Sequence, residues 1–128
     1  MAHILVAEDE RDIRELINFT LEFAGYKVTQ AANGEEAVHL AEKALAEGTK
    51  PDLIMMDVRM PKMTGYEACR HLKLNDAFKD TPVIFLSAKG QDEEIQSGIS
   101  AGASAYILKP FSLDDLTKRV AELLGGTA

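Results

Sequence analysis

Short apolar runs alternate with helical patterns along the chain, and this alternation most limits the folds that it can adopt. The runs are too short for helices, and we interpret them as strands. The predicted strands cover residues 3–7, 27–31, 53–57, 83–86 and 106–108. Residues 27–31 alternate between polar and apolar side chains, which predicts less burial and an edge position for that strand.

Residues with helical spacing fill the intervals between these strands. The predicted helices cover residues 13–24, 34–45, 64–74, 91–101 and 113–124. Gly25 and Gly48 follow two of them, as expected of residues that end helices, and Ser112 with Asp115 resembles a capping box. Strict alternation predicts one α/β domain over residues 1–128, a doubly wound parallel sheet with helices on both faces.

The composition limits the class of protein and its ligands. Of 128 residues, 46% are hydrophobic and 27% charged, a profile that fits one soluble globular domain. The net charge is −7 and no basic run occurs, so we expect no direct binding to nucleic acid. The one cysteine, Cys69, and the lack of a secretory signal or a membrane-spanning apolar segment predict a cytoplasmic protein.

Chemically distinctive residues stand where four of the predicted strands end. Glu8 and Asp9 follow the first strand, Asp57 ends the third, and Ser87 and Lys109 follow the last two. In an open α/β sheet the carboxyl ends of parallel strands lie along one edge, where ligands bind. We therefore expect these side chains to converge in one crevice.

The acids of this crevice predict a metal site. Carboxylates gathered together repel one another, and a hard divalent cation removes that cost. Oxygen ligands select Mg²⁺ or Mn²⁺. Glu8 and Asp9 have an alternative role, because acids in a first helical turn interact favourably with the helix dipole. The run Glu8-Asp9-Glu10 beside Asp57 favours the metal site.

Asp57 is the candidate nucleophile. A metal on one side and Lys109 on the other would neutralise a phosphoryl group that moves toward its carboxylate, and the product would be an aspartyl phosphate. Taken alone, Asp57 could be a turn residue or helix cap, Ser87 a turn residue and Lys109 a solvated side chain. Tyr106 is either a core residue or an aromatic switch whose rotamer responds to movement of Ser87.

The histidines and the methionines are not spaced in a way that indicates a binding site. His3, His39 and His71 are scattered without ligand spacing, and we expect them at the surface or in packing. The methionines near the third strand predict core and loop packing. They are Met55, Met56, Met60 and Met63.

With these motifs the chain resembles the receiver domain of two-component response regulators over about residues 2–124. The motifs are Glu8-Asp9, Asp57 with Met60-Pro61 and Gly65, Ser87-Ala88, and Lys109-Pro110-Phe111. Each is weak alone, and together they are very specific. Glu8 in place of the more usual Asp, and Ser87 in place of the commoner Thr, are mild departures that keep the oxygen chemistry.

The resemblance implies a fold and a reaction. The fold would be flavodoxin-like, with strand order 2-1-3-4-5, in a single receiver domain over residues 1–128 without an output domain. Asp57 would accept a phosphoryl group from a phosphohistidine of a sensor histidine kinase or histidine phosphotransfer protein. The chain would not be a conventional enzyme, although it would catalyse its own phosphorylation and slow dephosphorylation.

The resemblance also implies roles for the residues around Asp57. The cofactor would be Mg²⁺, with Mn²⁺ possible, held by Asp9, Asp57 and the main-chain carbonyl of Arg59, while Glu8 acts through water. Lys109 would bind the phosphoryl group. Ser87 and Tyr106 would form the switch pair. From their places two residues beyond Asp57 and Ser87, we expect Arg59 and Lys89 to tune the lifetime of the phosphorylated state.

The output is expected to be a protein contact through the fourth predicted helix, the last strand and the last helix. Receivers of many winged-helix transcription factors pair this face through acids before the last strand and an arginine on the last helix. Arg119 matches the arginine, but residues 102–105 contain no acid. We therefore expect a monomer or weak dimer that engages a different downstream protein.

Three other functions compete with this interpretation. A flavin carrier would need a hydroxyl-rich phosphate loop after the first strand, where Glu8-Asp9-Glu10 would repel a phosphate. A metal-dependent phosphatase would need a general acid two residues after its nucleophile, where the chain has Arg59. A degenerate receiver that only binds proteins, without phosphorylation, would be expected to lose an acid or the lysine, and neither is lost.

Overall fold

The computed structural model describes residues 2–88, 104–109 and 111–125, with only the main chain at Ala88 and Lys109. Five strands form one sheet: β1 (His3–Ala7), β2 (Lys27–Ala31), β3 (Leu53–Asp57), β4 (Val83–Ala88) and β5 (Ala105–Lys109). Four helices are described: α1 (Arg11–Phe23), α2 (Gly34–Ala46), α3 (Gly65–Lys73) and α4 (Leu113–Leu123). The predicted helix over residues 91–101 lies outside the described residues.

All strand pairs are parallel and the strand order is β2-β1-β3-β4-β5. This is the predicted doubly wound, flavodoxin-like sheet, and β2 is the predicted edge strand. The order reverses between β1 and β3, so the crevice beyond their carboxyl ends is the place where ligands bind in such folds. Glu8 and Asp57 stand at that point.

The sheet is packed on both faces, which explains why its inner strands consist of unbroken apolar runs. One face is covered by α2 and α3, and the other by α1 and α4. Side chains alternate between the two cores along each strand, so that Met56 and Phe85 lie on the α2–α3 face while Met55 and Leu86 lie on the other.

Helix ends follow the local sequence. Asn33 and Ser112 cap α2 and α4 by accepting main-chain N–H bonds from Glu36 and Asp115. A capping box with both reciprocal bonds is found at α3, between Thr64 and Glu67. None of the described helices is long and apolar enough to cross a membrane.

Two features differ from the sequence prediction. The last two strands are longer than predicted: β4 continues to Ala88 instead of ending at Leu86, and β5 covers Ala105–Lys109 instead of residues 106–108, because the two strands pair from Ile84 and Ala105 to Ala88 and Lys109. A short 3-10 helix, Asp76–Phe78, follows α3 where no element was predicted. Phe78 is fully buried, so this turn extends the apolar core beneath α3.

Candidate functional site

The loop after β1 holds Glu8 inside the protein. The Glu8 main-chain N–H donates to the Ala31 carbonyl at 3.0 Å, and the Arg14 guanidinium donates to the Glu8 carbonyl at 2.9 Å. The Glu8 carboxylate accepts from the Glu10 main-chain N–H at 3.1 Å. Glu8 is fully buried, whereas Asp9 is exposed at the rim of the crevice.

The loop after β3 holds Asp57 in a fixed orientation. Asp57 is 5% exposed, and its Oδ1 accepts from the Arg59 main-chain N–H at 3.0 Å. The Gly65 N–H donates to the Val58 carbonyl at 3.0 Å and closes the loop. A Cβ at Gly65 would lie 2.4 Å from the Asp57 carbonyl oxygen, so only glycine permits this closure without a shift.

Glu8, Asp9 and Asp57 meet at the crevice as predicted. One ligand oxygen of each lies within 4.8 Å of the others. The pKa of Glu8 is raised to about 8, first because burial disfavours the charged form and then because its carboxyl group is hydrogen bonded to, and repelled by, that of Asp57. Glu8 therefore favours its protonated form at neutral pH when no cation balances the charge of the cluster.

This arrangement fits a hard divalent cation. Oxygen ligands on an octahedral Mg²⁺ at about 2.1 Å would be roughly 3–4 Å apart, and the three carboxylates each have an oxygen within 4.8 Å of the others. The electrostatic repulsion that raises the pKa of Glu8 is what a cation would relieve. The three carboxylates thus offer oxygen atoms of the kind that Mg²⁺ and Mn²⁺ prefer.

The last two strands bring the other predicted residues to the same edge. Asp57 pairs with Leu86, so buried Ser87 lies one residue beyond it on the neighbouring strand. Ala88 pairs with Lys109 by main chain, which places the lysine at the end of β5. The side chain of Lys109, and Lys89 altogether, lie outside the described residues.

Tyr106 packs against the α2–α3 core. Its ring lies 5.7 Å from that of Phe85, and its hydroxyl donates to the Tyr66 hydroxyl at 3.5 Å. Tyr66 is the second residue of α3, after Gly65, and its ring makes an edge-to-face contact with that of Phe85 at 4.8 Å. Tyr106 is thus held by ring packing against Phe85 and by a hydrogen bond to Tyr66. Tyr66 directly follows Gly65, which closes the loop after Asp57.

Sequence reasoning missed two residues of this region. Arg14 fixes the Glu8 carbonyl from the first turn of α1, and Tyr66 is the partner of Tyr106. No motif around Arg14 indicated that it would contact the Glu8 loop. Because Tyr66 follows Gly65, the sequence could have indicated that it lies beside the Asp57 loop. Its hydrogen bond to Tyr106 could not be predicted, because it depends on the alignment of β4 with β5.

Known proteins are similar to this chain in sequence. The family model of the response regulator receiver domain matches residues 4–121. The Pseudomonas aeruginosa phosphate regulon transcriptional regulatory protein PhoB is 40% identical over 124 residues, covering 97% of this chain and 52% of that protein. The chain spans about half the length of the curated relatives it matches.

Two solved structures are similar to this chain in three dimensions as well. The chemotaxis response regulator CheY4 of Vibrio cholerae has a TM-score of 0.88 and 36% identity, with 96% of this chain and 98% of that chain covered. The receiver domain of the Pseudomonas aeruginosa sensor histidine kinase PA1611, which has a magnesium ion in its active site cleft, has a TM-score of 0.86 and 31% identity, with 97% and 98% covered. With the family model matching most of its length, this chain belongs to the response regulator receiver domain family.

Proposed function

We propose that this chain accepts a phosphoryl group on Asp57 from a phosphohistidine of a sensor histidine kinase or histidine phosphotransfer protein. The observation that carries the proposal is the contact between the buried carboxyl groups of Glu8 and Asp57, with Asp9 at their rim. Such a cluster gives a nucleophilic carboxylate a neighbouring cation site. Phosphoryl transfer requires this combination of position and charge more than covalent chemistry by the protein.

The transfer would replace one phosphorus bond by another. An Asp57 oxygen attacks the phosphorus, the P–N bond to the donor imidazole breaks, and the imidazole leaves with the electron pair and takes up a proton. The hydrogen bond from the Arg59 N–H to Oδ1 holds the Asp57 carboxylate in one orientation. Lys109, at the end of β5, would pair with a phosphoryl oxygen, and Ser87 would donate its hydroxyl to another.

Magnesium is the cofactor that the proposal requires, and Mn²⁺ could replace it. Asp9, Asp57 and the Arg59 main-chain carbonyl would hold the ion, and Glu8 would act through a coordinated water. When bound, Mg²⁺ would supply charge neutralisation for the phosphoryl oxygens. Glu8 would give up its proton when the ion binds, since the cation removes the repulsion between Glu8 and Asp57.

The donor protein would dock on α1, which starts beside the acid cluster. Leu16, Phe19 and Phe23 are 47%, 70% and 87% exposed and follow one face of this helix at helical spacing. The two phenylalanine rings stack on each other at 6.5 Å. An exposed apolar stripe of this kind is typical of a protein interaction surface.

The phosphorylated state would be read by a downstream protein at the face formed by β5 and α4. A cleft of about 410 Å³ lies there, with Tyr106, Phe111 and Arg119 among its lining residues. Movement of Ser87 toward the phosphoryl group would change the environment of Tyr106. We propose a monomer or weak dimer, because residues 102–104 provide no acid before β5 for Arg119.

Phosphotransfer in vitro tests the proposal. A phosphorylated histidine kinase should label the parent chain in the presence of Mg²⁺, and Asp57→Asn or removal of Mg²⁺ should abolish the label. Equal binding of a partner by the parent and Asp57→Asn, without any labelling, would instead support the phosphorylation-independent binding module. Arg59→Ala and Lys89→Ala should change the rate of label loss, and parental rates in both would contradict their role in lifetime.

A further inference from the structure

We propose that the groove between α2 and α3 binds a zinc-class transition-metal ion through His39, Glu42 and His71. The groove is a cavity of about 550 Å³ that is lined by residues of α2 and α3 and of the loop after Asp57, and none of the three acids of the cluster lines it. Its lining includes both histidines and Glu42, together with Glu35 at the start of α2. In sequence the two histidines are far apart, and the packing of α2 on α3 brings them to one groove.

The spacing of His71 and Glu42 fits a shared metal better than a hydrogen bond. The His71 Nε2 lies 3.7 Å from the Glu42 Oε2, which is beyond hydrogen-bond length. Zinc bonds to imidazole nitrogen and carboxylate oxygen measure about 2.0–2.2 Å, so two such ligands on a tetrahedral ion lie about 3.4 Å apart. A small movement of two half-exposed side chains would place both on one ion.

His39 is the third ligand because it lies one turn before Glu42 on α2. Residues three apart on a helix are neighbours on its surface, and both side chains line the same cavity. The ligand atoms of His39, Glu42 and His71 do not all lie within 4.8 Å of one another in the structure, so the ion would have to draw the exposed His39 ring toward the other two side chains. Three protein ligands and a water would complete a tetrahedral site, with Glu35 as a possible replacement for the water.

The charge and the ligand types of the groove favour a different ion from the one that the acid cluster favours. Carboxylates of Glu35, Glu36 and Glu42 line it, against one ammonium group, that of Lys62. Imidazole nitrogens favour zinc, copper and nickel, whereas Mg²⁺ prefers oxygen ligands alone. The two sites would therefore be occupied independently, and excess Mg²⁺ would not displace zinc from the groove.

A metal in this groove would join the two helices beside the loop that follows Asp57. Met63 of that loop lines the cavity, and a Cβ at Gly34 would lie 2.1 Å from the Met63 carbonyl oxygen. The start of α2 is thus packed directly on the loop. Zinc bound by His39 and Glu42 on one side and His71 on the other would stabilise this contact and raise the thermal unfolding temperature.

Titration of the full chain with ZnCl₂ in excess MgCl₂ tests the proposal. We expect one zinc ion per chain, with affinity about tenfold or more weaker in each of His39→Gln, Glu42→Gln and His71→Gln, since each loses one coordinate bond. Glu47→Gln is the matched control, because it removes an exposed carboxylate from the end of α2 outside the groove. Asp9→Ala is the control for the acid cluster.

Thermal unfolding gives a second readout in the same variants. Zinc should raise the unfolding temperature of the parent, Glu47→Gln and Asp9→Ala, and should raise it less in the three ligand variants. Absence of zinc binding, equal affinity in all variants, weakening in only one ligand variant, or loss of binding in Asp9→Ala would each overturn the proposal. Circular dichroism of the metal-free variants verifies that the exposed substitutions keep the fold.

Discussion

The carboxyl group of Glu8 is hydrogen bonded to that of Asp57 at the edge of the sheet. Burial first, and then this contact, raise the pKa of Glu8. Glu8 follows β1 and Asp57 ends β3, so adjacent parallel strands create the contact. In the metal-free protein Glu8 therefore favours its protonated form through the neutral range.

The stability of the metal-free protein should fall as pH rises through the neutral range. The pKa of Glu8 is about 8 in the folded protein, above its ordinary value of 4.5, so the folded state binds more protons between these values. The stabilisation is complete below about pH 4.5 and is lost as pH rises through about 8. Urea unfolding in chelator at several pH values measures this slope, and Glu8→Gln should flatten it. An equal slope in Glu8→Gln would contradict the assignment.

Asp9→Ala should weaken Mg²⁺ binding more than Glu8→Ala does. Asp9 is exposed and can turn to the ion directly, whereas Glu8 must release a proton and acts through water in our proposal. Calorimetric titration with MgCl₂ at constant pH gives the two affinities. Parental affinity in Asp9→Ala, or a larger loss in Glu8→Ala, would show that the roles of the two acids are assigned wrongly.

Lys62→Gly should stabilise the fold. Lys62 has a φ of 68°, in the left-handed region that glycine occupies without a Cβ penalty. We expect a gain of roughly 0.5–1 kcal/mol in the free energy of unfolding. Lys79→Gly is the matched control. Lys79 has a φ of −53°, so glycine at this position should lower the free energy of unfolding. Destabilisation by both substitutions would show that the Lys62 side chain matters more than its backbone strain.

Phe19→Ser should slow phosphotransfer from a histidine kinase without slowing phosphorylation by acetyl phosphate. The Phe19 side chain is part of the exposed stripe on α1, and a small donor does not need that surface. Leu74→Ser serves as control, because Leu74 is 85% exposed at the end of α3 instead of on α1. If Phe19→Ser is phosphorylated by the kinase at the parental rate, the donor docks elsewhere.

Much of this fold could be predicted because its inner strands are buried on both faces. Apart from His3, the runs that became β1 and β3 contain only apolar residues before the site. The alternation of strands and helices then places Asp57 and the acids after β1 at one edge of the sheet. Contacts between distant residues could not be predicted in the same way. The pKa of Glu8 depends on its distance from Asp57, and the Tyr66–Tyr106 bond depends on strand alignment.

The histidines illustrate the same limit. His3 was expected in packing or at the surface, and it is buried with its ring nitrogens 2.8 Å from the Thr49 carbonyl and 2.7 Å from the Thr29 hydroxyl. His39 and His71 are exposed, as expected. Their common groove results from the packing of α2 against α3, which neither helix reveals in its own sequence.

Phosphorylation of Asp57 itself is the most direct test of the account. The full chain is incubated with acetyl phosphate and Mg²⁺, and its intact mass is measured before and after treatment with hydroxylamine, which cleaves acyl phosphates. We predict a gain of one phosphoryl group that hydroxylamine removes, and no gain in Asp57→Asn or without Mg²⁺. The same gain in Asp57→Asn, or no gain in the parent with Mg²⁺ present, would contradict the central claim.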